Sequence, residues 1–152
     1  DGGRGVRIVI EKALRRLTLM DEEMGEMLCC PVGLGSCPIG PKQWEGDGKT
    51  PEGTYFVCLK KQGKHGPSLG ISYPNVADAG RAGVDAALIA CIRAREAAGE
   101  RPPWGTTLGG EIYIHGGGAT RDWTAGCIAL SDADAERLYQ LTPLGTAIEI
   151  RA

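Results

Sequence analysis

The sequence predicts a mainly β domain with some α, and three observations carry that reading. Short runs rich in β-branched residues recur between loops dense in Gly and Pro. Alanine dominates one tract only, about 78–98, which reads as a helical insertion. Strands and helices do not alternate in the strict order that a parallel βαβ fold requires. At 152 residues with 42% hydrophobic content, the chain is of single-domain length, and one domain over 1–152 is expected.

The elements follow in order. "VRIVI" (6–10) and "RRLTLM" (15–20) alternate with period two on either side of a short connector, which predicts an opening hairpin. "EMLCCPVG" (26–33) and "TYFVCLKK" (54–61) read as the third and fourth strands. The segment between them, with Gly and Pro throughout, is too irregular for regular structure, and a loop of that length is usually functional. Within the alanine-rich tract, Asp78 and Asp85 are placed as N-caps of a short and a longer helix, and Gly99 as a stop. "EIYIH" (111–115) is a strand that sends Ile112 and Ile114 to one face and Tyr113 and His115 to the other. "CIAL" is a short strand. Ser131 and Asp134 stand as N-cap and N3 of a helix over 132–142, and "TAIEI" (146–150) closes the chain as a strand.

Charge and composition exclude several partners. Lys and Arg number 17 against 19 Asp and Glu, with no basic stripe, which argues against nucleic acid. No apolar run approaches the roughly 20 residues of a membrane span, and the first ten residues lack the apolar core of a signal peptide. Nothing in the sequence demands an oligomer, and a monomer is expected. The six cysteines lack any C-x-x-C spacing, and a chain of this length needs no disulfide framework, so mostly free thiols are expected. Two histidines 50 positions apart supply no metal-ligand spacing, and neither a metal nor another cofactor is expected.

Two motifs fail on inspection. "GDGKT" ends like a phosphate-binding loop, but Gln43 stands where its first glycine must be. "GLGSCPIG" (33–40) begins like a dinucleotide fingerprint, yet Pro38 occupies the third glycine position.

"HGGGATRDWTAGCIAL" (115–130) is the segment that carries chemistry. A nucleophilic cysteine needs a base to hold it as thiolate, a group to orient that base and donors for an oxyanion. His115 at a strand end, glycines at 116–118, and Gly126 just before Cys127 can supply these. On the residues alone a second reading stands beside it: Cys127 as a core residue and His115 as an unrelated strand end.

"IYIHGGG" followed by "DWTAGCIALSDADAERLY" resembles the L,D-transpeptidase catalytic domain (YkuD-like) family, most of all its YafK-like, ErfK/YbiS-related branch. "EGDGKTPEGTY" and "LGISYPN" extend the likeness over residues 6–151. The resemblance implies a β-sandwich in which Cys127 is the nucleophile, His115 the base and the Gly116 carbonyl the group orienting the imidazole. Thr124, Gly126 and Cys127 match its "[ST]-x-G-C" loop, whose amides would form the oxyanion hole. Ala125 and Ala129 stand where many relatives have His and Arg, so a substrate carboxylate needs another cation; Arg121 and Arg81 are the candidates, either of which is otherwise an ordinary surface charge. Tyr73 and Asn75 line the cleft or simply form a turn, Trp123 meets substrate or packs under the loop, and His65 is expected in a solvated loop.

The implied activity is a cysteine acyltransferase working on peptidoglycan stem peptides through a thioester, an L,D-transpeptidase of cell-wall biogenesis, in an extracytoplasmic compartment. A hydrolase or amidase of the same fold is the alternative. An inactive wall-binding module is the third, and would normally have lost the His or the Cys.

Overall fold

The computed structural model describes residues 5–152. The opening hairpin forms as expected from β1 (Val6–Glu11) and β2 (Arg16–Asp21), whose Ile8, Ile10, Leu17 and Leu19 are fully buried on the core face. β3 (Gly25–Pro31) pairs antiparallel with β2 and turns Cys30 into the core and Cys29 outward, as alternation requires. β4 (Gly53–Gly63) is longer than the sequence suggested, because it has two partners. Its first half pairs with β8 (Ala147–Arg151), its second with β5 (Gly66–Ile71), and the register shifts between Val57 and Leu59 where the partner changes.

β5 was not expected as a strand. Its Gly66, Pro67 and Gly70 are poor strand formers, but it is hydrogen-bonded on both sides, to β4 and to β6 (Tyr113–His115). Gly70 is needed there, since a Cβ would lie 2.7 Å from the Leu59 side chain. β7 (Ile128–Ala129) completes a strand order of β3-β2-β1-β8-β4-β5-β6-β7. The two sheets of the sandwich thus share β4. An isolated bridge between Gly33 and Ala129 brings the segment after β3 onto β7, so the two ends of the curled sheet meet.

The helical insertion consists of α1 (Val76–Ala82) and α2 (Ala86–Ala97). Asp85 caps α2 as expected, accepting from the Leu88 amide at 2.9 Å. For α1 the cap is Asn75, not Asp78: Asn75 Oδ1 accepts from the Asp78 amide at 2.8 Å, and Asp78 returns the bond to the Asn75 amide at 3.0 Å. Asp78 is the N3 half of a capping box. Gly83 ends α1 with φ 74°, and Gly99, at φ 70°, follows α2. α3 (Asp132–Leu141) starts at Ser131, which accepts from the Asp134 amide, and buries Ala135 and Leu138. It packs on β5 and β6, directly behind the strand that carries His115.

Candidate active site

β6 and β7 run parallel, with Ile114 opposite Ile128 and His115 opposite Ala129. Extending this register by one pair sets Cys127 beside Tyr113, and the Tyr113 amide donates to Cys127 Sγ at 3.3 Å. Period-two alternation then puts the Cys127, Tyr113 and His115 side chains on one face. All three line a cavity of about 370 Å³ with Lys61, Lys64, His65 and Trp123. A second cavity, of about 280 Å³ and bordered by Lys42, Glu45, Trp104 and Gly126, also reaches Cys127 and Glu111. Cys127 therefore sits where two cavities adjoin.

The imidazole is oriented by its own chain, with His115 Nδ1 and the Gly116 carbonyl 2.6 Å apart. Nδ1 donates in this contact, which leaves the Nε2 lone pair for the cavity. The Cys127 thiol reaches the Glu111 carbonyl at 3.6 Å, and Glu111 holds a left-handed φ of 55°. Thr124 Oγ1 donates to the Cys127 carbonyl at 2.7 Å and accepts from the Gly126 amide at 3.0 Å. The Gly126 N–H is thus committed to Thr124, and Cys127 itself carries the remaining loop amide of the expected pair. Gly126 must be glycine: its φ is 149°, and a Cβ would lie 2.8 Å from the Lys49 carbonyl.

Burial dominates the electrostatics. It pushes the Cys127 thiol above its ordinary value, against the pull of the Tyr113 amide and the Lys42 ammonium. It also holds His115 below its ordinary value, opposing the Gly116 contact and aided by His65. Both shifts favour neutral forms. Burial thus works against the standing thiolate expected from the sequence. Lys42 and Asp47 form a buried ion pair at 2.9 Å next to the second cavity, and Lys42 Nζ also donates to the Trp44 carbonyl at 3.1 Å.

Several residues stand elsewhere than expected. Tyr73 is fully buried, its hydroxyl donating to the Leu108 carbonyl at 2.6 Å; it touches the site only through its own carbonyl, which accepts from Trp104 Nε1 at 2.9 Å. Asn75 is a helix cap. Arg81 pairs with Asp78 at 3.1 Å, on α1 and outside both cavities. Arg121 is exposed and borders neither cavity; its backbone carbonyl is what matters, since a side chain at Gly33 would collide with it. Trp123 lines the first cavity and anchors its Nε1 on the Gly118 carbonyl at 3.0 Å. His65, expected in solvent, stacks on His115 at 4.5 Å between ring centroids. Sequence reasoning also missed Lys61 and Lys64, the cations that do line the cavity beside Cys127. Only the unrecognised hairpin between β4 and β5 would have shown where they lie.

The glycines of the failed dinucleotide motif have a structural use. Side chains at Gly33 and Gly35 would strike the carbonyls of Arg121 and Gly48, so this segment threads between the active-site loop and the 46–50 turn.

The sequence model of the YkuD L,D-transpeptidase catalytic domain matches residues 5–150. The chain belongs to this family. No curated protein matches it significantly in sequence. Among solved structures it is similar to the helical cell shape determining protein Pgp2 (K307A mutant) from Campylobacter jejuni, at 24% identity and TM-score 0.69 over 95% of this chain and 46% of that one. It is also similar to an L,D-transpeptidase from Mycobacterium smegmatis, at 16% identity and TM-score 0.58, covering 97% of this chain and 59% of that one. L,D-transpeptidase 3 from Mycobacterium tuberculosis, in complex with a faropenem-derived adduct, aligns at 15% identity and TM-score 0.58 over 97% and 60% of the two chains. These likenesses show the fold, and the chain spans about half the length of those relatives.

Proposed function

We propose that the protein is a cysteine acyltransferase that works on peptidoglycan stem peptides outside the cytoplasm, with Cys127 as nucleophile and His115 as base. The observation that supports it most is the shared face of Cys127 and His115 in one cavity, with the imidazole oriented by the Gly116 carbonyl. In the reaction His115 Nε2 takes the Sγ proton as sulfur attacks a stem-peptide carbonyl. The tetrahedral oxyanion accepts a hydrogen bond from the Cys127 amide. The imidazolium then returns its proton to the leaving amine, and a thioester remains. An incoming amine, deprotonated by His115, attacks the thioester and restores the thiol. Two cavities adjoining at Cys127 favour transfer, because the second admits an amine while the first holds the acyl chain. Lys61 and Lys64 stand in for Arg121 and Arg81 as partners of a substrate carboxylate.

Intact-protein mass spectrometry after carbapenem treatment tests the nucleophile. One covalent adduct is expected on the parent and none on Cys127→Ala, and an adduct that persists in the variant overturns the assignment. Digested muropeptides incubated with the protein then report the fate of the acyl group. Cross-linked or amine-exchanged products are expected, and products of water alone would replace transferase with hydrolase.

A further inference from the structure

The chain holds two histidines, 50 positions apart, and the fold brings both to one cavity. His65 occupies the two-residue turn between β4 and β5, and its ring lies over that of His115 with centroids 4.5 Å apart and planes 18° apart. Trp123 stands edge-on to both, at 5.4 Å from His65 and 6.0 Å from His115. The glycines after His115 make room for this arrangement. A Cβ at Gly117 would lie 3.0 Å from Trp123 and 3.4 Å from His65 Nδ1, and one at Gly116 would lie 3.2 Å from the His65 carbonyl. The hairpin tip thus seats against the catalytic strand because residues 116 and 117 have no side chains.

A single hydrogen bond at Nδ1 fixes one direction of an imidazole and leaves its tilt free. The stacked ring removes that freedom and keeps water off one face of His115, which is only 6% exposed. We propose that His65 is a positioning residue of this site, stacking on His115 so that Nδ1 stays on the Gly116 carbonyl and Nε2 stays presented to Cys127. The inference rests on His115 being the base. Among the described residues, the charged or titratable groups around the pair are Lys61 and Lys64 on the hairpin, Glu111 before β6, Tyr113 on β6, Cys127 before β7, and Asp132 on α3, whose Oδ1 accepts from the Gly117 amide at 2.9 Å. His65 itself disfavours charge on His115, a smaller effect than burial.

Three variants decide it: His65→Ala, His65→Phe and His65→Leu. Each leaves His115 as the single histidine, so its ring nitrogens can be followed by NMR without overlap. In His65→Ala, kcat is expected to fall about tenfold with KM little changed, while the His115 titration and the acid limb of kcat/KM both move upward. His65→Phe keeps a flat ring and is expected to stay within about threefold of the parent, with the Nδ1–H tautomer retained. Superimposable His115 titrations and rate profiles for parent and His65→Ala overturn the proposal. If His65→Ala loosens the hairpin in a thermal melt, Phe against Leu decides, and equal rates for these two also overturn it. The titration is read without substrate, so failure to turn over stem peptides defeats the acyltransferase reading while the stack is still judged.

Discussion

Cys127 and His115 have ordinary side chains whose reactivity is set by what surrounds each atom. Burial raises the thiol and lowers the imidazole, so the neutral thiol and neutral imidazole that the proposed reaction starts from are favoured over a widened pH range. As the proposed base, His115 has to be unprotonated to accept from sulfur. Its lowered pKa therefore places the acid limb of kcat/KM below about 6.5, and the raised thiol places the alkaline limb above about 8.5. A rate profile over that range checks both, and an acid limb above 6.5 contradicts the burial argument. Burial also pushes Cys30 up to about 12 and Cys58 up to about 11, which leaves these two thiols inert near neutrality. Carboxylate recognition is also a matter of single residues. Arg121→Ala is expected to leave kcat/KM within about twofold, because the side chain borders neither of the two cavities that meet at Cys127. Lys61→Ala and Lys64→Ala are expected to lower it by about tenfold for a carboxylate-bearing substrate and little for its amide, each tenfold being about 1.4 kcal/mol.

At the scale of elements, the site depends on a parallel strand pair and on turns that hold still. The 43–47 turn shows how this is achieved. Asp47 accepts from the amides of Gln43, Trp44 and Lys49 and from Lys42, and these bonds hold it below the usual carboxylate range although burial works the other way. The turn in this way carries a buried ammonium to the edge of the second cavity. Helix α1 borders neither cavity, and its cap makes a role in the site testable. Asn75→Ala removes one half of the capping box and the side-chain bond from Nδ2 to the Thr54 carbonyl. Thermal or urea denaturation is expected to show a loss of about 1 kcal/mol. Turnover of the folded protein should not change, and a raised KM would return Asn75 to the cleft.

Across the whole molecule, the active-site turn is tied to residues far away in sequence. Asp122 accepts from Arg15 Nη2 at 2.8 Å and from the Leu34 amide at 3.0 Å, linking the β1–β2 connector, the segment after β3 and the turn before Cys127. The Arg15 guanidinium holds the Asp122 carboxyl below its ordinary range. A depressed carboxylate contributes stability above its unfolded pKa of about 3.9, and that contribution is lost as pH falls through the lower folded value. Asp122→Asn is therefore expected to lower Tm by about 3 °C at pH 7, the pair being partly exposed and so modest in strength. The difference from the parent should close below about pH 4. A gap that stays constant down to pH 2 would mean that the carboxylate's charge is not what anchors the turn.

The sequence by itself determined the β-rich class, the opening hairpin and the helices after Asp85 and Ser131. These are local signals, because alternation and capping act over a few residues. His115 and Cys127 were singled out by the family resemblance of one stretch of 13 residues, whereas the residues alone left two readings open. The tertiary structure alone decided the rest. β5 became a strand because neighbours on both sides hydrogen-bond it, against the preference of its own Gly and Pro. Asn75 took the cap from Asp78, and Arg81 was drawn into the ion pair with that residue, because α1 starts three residues earlier than its acidic residue suggested. His65 reached His115, and Lys61 and Lys64 reached the cavity, only through the hairpin between β4 and β5. The burial that raises the Cys127 thiol and lowers the His115 imidazole is likewise tertiary, since it depends on every segment that closes over the site, and no local pattern records it.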